Sequence, residues 1–339
     1  MKLTPRSTCP ICLSAQLKHF HSFRHLNRHA QMQAYQEGEK KLTPIGECEA
    51  LAMCVDCHGL FRENVIDNEL LFSNYHQRSS DEQEAEVLAA LEKEFTTFLD
   101  GNEKYTAELD YIISIAPPGA KILDIGSREG VLSRALSERD FDVTIIEPTK
   151  AFTSALSKHF GIKAICGFFE RHSFPDETFD LITAFNMLHR VDHVNDFIAA
   201  AHEQLREGGQ LLLCTNNAFT LTHNYITQQH RIFFTPNSVE IMLARTGFKV
   251  MDSMSVYWNG IPRLFTLAKK AKEPEPAPMI LDSAAALKTG LLRIEYGIFP
   301  PFGLRKLHGP LLRLANLFGF KAGIFVRHLD RLLAKVRGL

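Results

Sequence analysis

The chain has 339 residues, of which 45% are hydrophobic and 23% are charged, and its formal net charge is -1 at pH 7. This composition is typical of a globular protein with a sizeable core, and the near-neutral charge provides no global attraction to nucleic acid or to an anionic membrane. The N-terminus has no apolar signal segment and no run approaches 18 apolar residues. We therefore expect a cytoplasmic protein without membrane spans.

Two pairs of cysteines with C-x-x-C spacing mark the N-terminal region. Cys9 and Cys12 form the first pair, and Cys54 and Cys57 form the second. Each pair turns two sulfurs to one side, and four thiolates suit a tetrahedral zinc ion; the alternative is a set of buried cysteines without a metal. Because four of the seven cysteines occur in such pairs, metal ligation in a reducing compartment is favoured over disulfides. We expect a zinc-ribbon-like domain over residues 1–78.

Helical spacing appears both between the cysteine pairs and after them. His21, His25 and His29 recur every four residues, which predicts that they share one face of a helix. Residues 79–118 contain apolar side chains at helical intervals, which predict a connector of two helices. The second helix should end before Pro117, because proline cannot continue a helix.

A strand–turn–helix–strand pattern over residues 121–147 organises the rest of the chain. Its first strand contains Asp124 among apolar residues, and Gly126 and Gly130 follow as D-x-G-x-x-x-G. Glycine permits the tight turn and lets main-chain N–H groups approach a ligand. Glu147 ends the second strand, where a carboxylate can accept hydrogen bonds from both hydroxyls of a ribose. The pattern predicts a nucleoside-binding βαβ unit.

This unit resembles motif I of the class I S-adenosylmethionine-dependent methyltransferases, D-x-G-x-G-x-G with an acid after the second strand. Arg128 stands in place of the middle glycine, and the alternative is another Rossmann-like cofactor or no cofactor. Downstream, the turn at residues 167–170 and the F-D-L-I strand at residues 179–182 follow the family's order. The resemblance implies an α/β fold, with a Rossmann-like seven-stranded sheet over residues 119–270, and S-adenosylmethionine as cofactor.

The resemblance also implies which residues hold that cofactor. The glycine turn would shape its methionine end, the acid would bind its ribose, and the aromatic pair after the third strand would contact its adenine. A polar residue opens the loop after the following strand. The expected cofactor-binding residues are Asp124, Gly126, Ser127, Gly130, Glu147, Phe168, Phe169 and Asn186.

The N-terminal region is similar to the zinc-bearing domain of the sugar C-methyltransferases, where the zinc is structural. The segment at residues 71–76 matches their Tyr-bearing segment, so Tyr75 is a candidate for contact with the acceptor, or it packs the two domains together. His230 matches their acceptor-side histidine and is our candidate base, or it caps the turn that follows. Gln229 replaces the neighbouring acid, which leaves O-methylation open beside C-methylation.

The C-terminal residues have a different character. Residues 271–287 are rich in proline and predict a semi-rigid linker. Residues 288–339 carry ten Lys or Arg against two acids, with apolar residues between them, which predicts a basic amphipathic helical tail. Such a tail would contact an anionic membrane, the enzyme itself or a dimer mate. The sugar C-methyltransferases have a larger C-terminal domain, so that resemblance ends near residue 270.

These patterns predict methyl transfer from S-adenosylmethionine to a small-molecule acceptor, in first place a sugar or glycan precursor methylated at carbon or oxygen. Two other classes stay open, an RNA methyltransferase and a non-catalytic assembly or regulatory protein that kept the fold. The N-terminal half lacks a basic stripe with interleaved aromatic residues, so no nucleic-acid partner is expected. We expect a cytoplasmic enzyme, with peripheral membrane contact through the tail as an open alternative.

Overall fold

A computed structural model of the protein describes residues 3–22, 50–66, 81–99, 106–220, 230–258 and 261–271. The strands in these ranges are β1 (Leu3–Pro5), β2 (Leu17–Ser22), β3 (Ala50–Cys54), β4 (Leu60–Arg62), β5 (Asn64–Ile66), β6 (Lys121–Ile125), β7 (Asp142–Glu147), β8 (Lys163–Cys166), β9 (Phe179–Phe185), β10 (Leu205–Asn216), β11 (Ile232–Phe233), β12 (Phe248–Trp258) and β13 (Ile261–Lys270). The helices are α1 (Asp81–Leu99), α2 (Thr106–Ile115), α3 (Val131–Ser137), α4 (Lys150–Phe160), α5 (Val194–Gln204) and α6 (Pro236–Arg245).

A seven-stranded sheet with the order β12-β13-β10-β9-β6-β7-β8 forms the centre of the molecule. The five strands from β10 to β8 run parallel, and β13 pairs antiparallel with both β10 and β12. Helices connect β6 to β7, β7 to β8 and β9 to β10, whereas a loop connects β8 to β9. These crossovers place the carboxyl ends of the parallel strands at the same edge. The predicted α/β fold with a Rossmann-like seven-stranded sheet is confirmed.

The two faces of this sheet bury separate apolar clusters. Alternate residues of a strand point to opposite faces, so Leu123 and Ile125 join one cluster while Ile122 joins the other. Helices α1 to α4 cover the face of Ile122, and the two predicted connector helices are confirmed as α1 and α2. Helices α5 and α6 cover the opposite face, together with the N-terminal cysteine region.

The start of β10 is irregular. Helix α5 ends at Gln204 and β10 begins at Leu205, so Gly208 and Gly209 lie inside the strand. Gly208 has a φ of +73°, and the pairing of β10 with β9 shifts register between Leu205 and Gln210. The glycine pair therefore shapes an irregular strand rather than a helix end, because glycine also serves bulges.

The N-terminal residues 3–22 and 50–66, which we name the zinc module after the metal site predicted there, form their own small sheets. A four-stranded antiparallel sheet has the order β11-β4-β3-β2, and β1 pairs with β5. The outer strand β11 comes from residues 232–233, beyond the fifth parallel strand. His21 lies in β2, so the predicted helix beginning at His21 is wrong; its backbone is extended because β2 pairs with β3.

Several sequence predictions fall outside the described residues. These are the positions His25 and His29, the candidate Tyr75, the neighbour Gln229, the linker after residue 271 and the tail over residues 288–339. Within the described part of the chain, no helix is both long and apolar enough to cross a bilayer.

Candidate active site

The glycine turn joins β6 to α3 at the carboxyl edge of the sheet. Gly126 has a φ of +73°, and its N–H donates to the Ile146 carbonyl at 2.9 Å, which ties the turn to β7. Gly130 has a φ of +62° at the N-terminus of α3, and a Cβ there would lie 2.7 Å from Leu156 Cδ2. The fold therefore needs both the backbone freedom and the small size of glycine at this position.

Arg128 occupies the middle position of the turn without changing its path. Its φ of +50° lies in the left-handed region, which explains why glycine suits this position. The Arg128 N–H donates to Glu147 Oε2 at 3.3 Å, while its exposed guanidinium pairs with Glu129 at 3.2 Å. The main-chain geometry is thus kept at a conformational cost of about 1 kcal/mol.

Glu147 ends β7 opposite the turn and is buried. The N–H of Thr149 donates to Oε1 at 3.0 Å, and the N–H of Arg128 donates to the other oxygen. Burial raises the pKa of Glu147, and the hydrogen bonds from Thr149 and Arg128 oppose that shift. Since a carboxylate has about four acceptor positions, the hydrogen bonds from Thr149 and Arg128 leave capacity to accept from the ribose of a nucleoside.

Ser127 offers a polar group inside the turn. Its Oγ is buried, and no residue in the described part of the chain makes a hydrogen bond to it. Buried hydroxyls in folded proteins normally have a partner, so this atom indicates a ligand group at the turn. A hydroxyl at this place suits the charged methionine end of S-adenosylmethionine, and the turn therefore fits that cofactor.

Asp124 lies beneath the turn and is used within the protein. Its carboxylate accepts hydrogen bonds from Ser133 Oγ at 2.5 Å and from Thr183 Oγ1 at 2.8 Å. Burial raises the pKa of Asp124, and the two hydroxyls oppose that shift. These bonds join β6 to α3 and β9, so we interpret Asp124 as a support for the turn rather than as a direct contact of the cofactor.

The loops after β8 and β9 supply the remaining predicted cofactor residues. Phe168 is 38% exposed, whereas the Phe169 ring packs edge-on against Phe197 at 5.2 Å and contacts the core. Asn186 has a φ of +56°, and its N–H donates to the Cys214 carbonyl at 2.8 Å. Of the two phenylalanines, Phe168 is therefore the more exposed, and it is the stronger candidate for contact with the adenine.

Two buried histidines meet beside the end of β9. His189 belongs to the short turn Leu188–Arg190, and His230 precedes β11; their ring centroids are 4.4 Å apart with a T-shaped geometry. Burial, followed by the proximity of His230, lowers the pKa of His189 well below its usual range. His189 is therefore neutral at pH 7, and its Nδ1 has no hydrogen-bond partner in the described ranges.

A buried carboxylate holds the zinc module against this histidine pair. Asp192 forms an ion pair with Arg6 of the zinc module at 2.9 Å and a second ion pair with Arg231. Burial, followed by repulsion from Arg6 and Arg62, lowers the pKa of Arg231 to about 10, which leaves it charged at pH 7. We name the set Arg6, Arg62, Asp192 and Arg231 the arginine seam.

Arg62 completes the seam at the end of β4. It is 2% exposed, and its Nε donates to the His230 carbonyl at 2.9 Å. Its N–H donates to the Arg231 carbonyl at 2.9 Å, and the Arg231 N–H in turn donates to the His189 carbonyl at 2.8 Å. The backbones of both histidines are thus fixed by the seam.

The four predicted zinc ligands lie together in the zinc module. Their Sγ atoms are all within 4.8 Å of one another, with pairs at 3.4 and 3.6 Å. A tetrahedral zinc ion with bonds of about 2.3 Å requires sulfurs about 3.8 Å apart, so this set suits zinc. The N–H groups of Ile11 and Gly59 also point at ligand sulfurs at 3.4 Å. The four residues that could hold the ion are Cys9, Cys12, Cys54 and Cys57.

A further buried acid lies on the opposite face of the sheet, in α2. Glu108 is 5% exposed, and its Oε2 makes no hydrogen bond with any residue that the structure describes. Burial raises the pKa of Glu108 to about 7. The sequence shows only an acid within the first turn of a helix, which is common on solvated faces, so it offered no reason to select this residue.

Residues 97–253 match the protein family described as "Methyltransferase domain". The domain is a class I S-adenosylmethionine-dependent methyltransferase. A relative of the methyltransferase, the ubiquinone biosynthesis O-methyltransferase of Pseudomonas aeruginosa strain UCBPP-PA14, is 26% identical over 197 residues, which cover 52% of this chain and 84% of the relative. The mitochondrial ubiquinone biosynthesis O-methyltransferase of Schizosaccharomyces pombe is 24% identical over 173 residues, which cover 44% and 63% of the two chains.

Among solved structures, the methyltransferase is similar to the 1,6-didemethyltoxoflavin-N1-methyltransferase of Burkholderia thailandensis. The identity is 14% and the TM-score is 0.46, with 64% of this chain and 98% of that chain covered. It is also similar to a TehB-like SAM-dependent methyltransferase of Corynebacterium glutamicum, with an identity of 20%, a TM-score of 0.44, and coverage of 55% and 98%.

Sequence reasoning selected His230 but did not assign roles to His189, Arg62 or Asp192. One signal was present: Arg62 follows the apolar pair in L-F-R at a position that should be buried. A buried arginine in a strand needs a hydrogen-bond or ion-pair partner, which predicts a polar contact between this strand and another part of the protein. The identity of that partner depends on residues more than 160 positions away, and the sequence alone does not provide it.

Proposed function

We propose that this methyltransferase transfers a methyl group to a hydroxyl oxygen of a small molecule, with His230 as the general base. The observation that carries the proposal is the buried His189–His230 pair beside the end of β9. S-adenosylmethionine, when bound, supplies a methyl group that is already activated by its sulfonium. The protein's main task is therefore to align an acceptor oxygen with that methyl group and to remove its proton.

The residues at the carboxyl edge divide this work. We assign Glu147 to the ribose, Phe168 to the adenine, and Ser127 with Gly126 to the methionine end. Asp124 keeps the turn in place from below. Since several of these contacts use main-chain groups or buried side chains, they would orient the cofactor without much rearrangement.

The histidine pair would handle the proton of the acceptor hydroxyl. His230 accepts that proton on a ring nitrogen, while the neutral His189 ring limits how His230 can rotate. A neutral imidazole serves as a base near pH 7 without large tuning of its pKa. Tyr75 stays our candidate for an acceptor contact.

Two resemblances bear on the acceptor. The N-terminal zinc module is similar to that of sugar C-methyltransferases, which favours a sugar or glycan precursor. The relatives identified by sequence are named O-methyltransferases, which favours oxygen as the methylated atom. We therefore propose a sugar or glycan hydroxyl as the first acceptor to examine.

We assign the four-cysteine site a structural role. Four protein ligands would complete the tetrahedral coordination of zinc and leave no open position for a substrate. Contact of the basic tail with an anionic membrane or a dimer mate, and a cytoplasmic location, remain predictions.

The proposal is tested by measuring S-adenosylhomocysteine release with nucleotide sugars, small phenols and an RNA transcript as separate acceptors. We expect turnover with a small-molecule hydroxyl, and a loss of about 100-fold or more in kcat for His230→Gln with unchanged affinity for S-adenosylhomocysteine. His159→Gln, on the exposed side of α4, is the matched control. Full activity of His230→Gln, or turnover with RNA alone, would contradict the proposal.

A further inference from the structure

The segment that carries His230 belongs to the sheet of the zinc module. Strand β11 begins two residues after His230 and pairs with β4, with Ile232 opposite Phe61 and Phe233 opposite Leu60. The candidate base is therefore followed directly by the outer strand of the module's sheet. A change in the position of β4 would move this segment of the methyltransferase domain with it.

Arg62 adds a second and more direct connection to the same segment. Its guanidinium donates to the His230 carbonyl, and its own N–H donates to the next carbonyl, that of Arg231, both at 2.9 Å. Two consecutive carbonyls are thus bound by one buried residue. This arrangement fixes the peptide on the carboxyl side of His230, and hence the direction of its side chain.

The zinc ligands are close to Arg62 in sequence and in packing. Cys57 and Gly59 immediately precede β4, and a Cβ on Gly59 would lie 2.3 Å from Ile11 Cδ1 and 3.4 Å from Ser238 Cβ of α6. Cys57 also shares an apolar cluster with Ile232, next to the base segment. Because packing this tight does not allow independent movement, the ligand positions would determine where Arg62 lies.

Two other polar contacts join the zinc module to the methyltransferase domain, and both lie near the histidine pair. Arg6 pairs with Asp192, and the side-chain amide of Asn195 donates to the Pro10 carbonyl at 2.7 Å. Both partners, Asp192 and Asn195, lie shortly after the turn that carries His189. The cofactor residues, in contrast, are held by the glycine turn, by β7 and by α3.

We propose that Arg62 is a positioning residue that transmits the geometry of the zinc module to His230. The bound zinc ion then sets the orientation of the base, while the affinity for the cofactor is independent of it. This inference rests on the proposed role of His230 as the base. It gives the zinc module a function in the reaction beyond its contribution to folding.

The test combines calorimetry with histidine NMR, so that it does not depend on activity alone. In protein labelled with ¹⁵N-histidine, the ring signals of His230 are assigned by comparison with His230→Gln. We expect these signals to shift or broaden in Arg62→Ala and after zinc removal by a chelator. The dissociation constant for S-adenosylhomocysteine should stay within about threefold of the wild-type value in both samples.

Two further variants separate positioning from folding. Arg139→Ala removes another arginine–carbonyl bond, 2.8 Å long and at the end of α3, and should leave the His230 signals unchanged. Arg62→Lys keeps the charge but loses the planar guanidinium with its several N–H donors, so it should restore the His230 signals only in part. If Arg62→Ala fails to fold, Arg62→Lys and stepwise zinc removal give the same comparison.

Activity with an acceptor that gives turnover in the S-adenosylhomocysteine-release assay supplies the second measurement. A lost hydrogen bond from a charged group at a positioning site should reduce kcat about 10- to 100-fold in Arg62→Ala. Unchanged His230 signals and kcat in Arg62→Ala, or a parallel loss of cofactor affinity, would overturn the inference. An inactive His230→Gln with a fully active Arg62→Ala would refute this inference alone, whereas a fully active His230→Gln would refute the proposed function.

Discussion

The cofactor edge and the arginine seam are built from different kinds of interaction. At the cofactor edge, main-chain N–H groups and glycines carry the geometry, and the Arg128 side chain points away from the turn. In the arginine seam, buried charged side chains such as Arg62 and Asp192 determine the geometry. A turn made of main chain can accept a changed side chain, whereas a buried charge network depends on every member.

Asp192→Ala should have the largest effect on stability, because it removes the carboxylate of the arginine seam. Arg6 and Arg231 would remain buried without the carboxylate that pairs with both. We expect a loss of about 3–5 kcal/mol in the free energy of unfolding, measured by urea denaturation. Asp196→Ala, an exposed acid in α5, is the control and should cost less than about 1 kcal/mol. Equal losses in the two variants would show that the seam is not a critical network.

Glu147→Ala tests a position where the cofactor edge depends on a charged side chain. Two lost hydrogen bonds to a charged group correspond to about 3 kcal/mol, or roughly a 100-fold higher dissociation constant for S-adenosylhomocysteine. The Glu138→Ala control removes an exposed carboxylate that pairs with Arg134 and should leave that constant unchanged. Calorimetry that finds the same affinity in Glu147→Ala and wild type would remove Glu147 from the cofactor site.

Glu108 provides a contrast with both regions, since its carboxyl is buried and one oxygen has no partner in the described ranges. Its folded-state pKa of about 7 lies above the usual value of 4.5, so between these pH values the folded protein holds a proton that the unfolded chain has released. Glu108 therefore lowers stability progressively as the pH rises through this window. Glu108→Gln should stabilise the protein by about 2 kcal/mol more at pH 8 than at pH 5. A gain that does not vary with pH would contradict this assignment.

Gly130→Ala tests the close contact between the turn and α4. An alanine Cβ would meet Leu156 at 2.7 Å in addition to adopting an unfavourable φ. Gly119 has a similar φ of +73°, and no atom of the described residues lies within 4 Å of the Cβ that alanine would add there, so Gly119→Ala measures the conformational cost alone. We expect Gly130→Ala to lose about 1–2 kcal/mol more than Gly119→Ala in thermal unfolding. Similar losses would mean that Leu156 moves aside without cost.

Arg128→Gly should have the smallest effect. Glycine relieves the positive φ at the turn, but it also increases the entropy of the unfolded chain. We expect a change in stability within about 1 kcal/mol and an affinity for S-adenosylhomocysteine within about twofold of wild type. A large loss of affinity would show that the guanidinium itself contacts the cofactor.

The fold and the cofactor edge could be predicted because their signals are local. The strand, the glycine turn and the acid occur within 27 residues, and each signal follows from backbone geometry or from apolar periodicity. The four cysteines indicated the candidate zinc site in the same way, since each pair is fixed by its own short turn. The irregular start of β10 was not predicted, because a glycine pair indicates a helix end and a bulge equally well.

The arginine seam could not be predicted, because its partners come from four distant segments. Arg6, Arg62, Asp192 and Arg231 have no common motif, and β11 is only two residues long. Such a strand forms because β4 supplies its hydrogen bonds, and its own propensity contributes little. In a similar way, the pairing of β2 with β3 keeps His21 in a strand where its spacing indicated a helix.

The most direct test of the cofactor site at the carboxyl edge of the sheet is calorimetric titration of the zinc-loaded protein with S-adenosylhomocysteine. We predict binding of one molecule per chain with a dissociation constant in the micromolar range, since the turn, the Ser127 hydroxyl and Glu147 are already in place. The same constant should be obtained after zinc removal. Absence of binding at millimolar concentrations of S-adenosylhomocysteine would contradict the assignment of the carboxyl edge as the cofactor site.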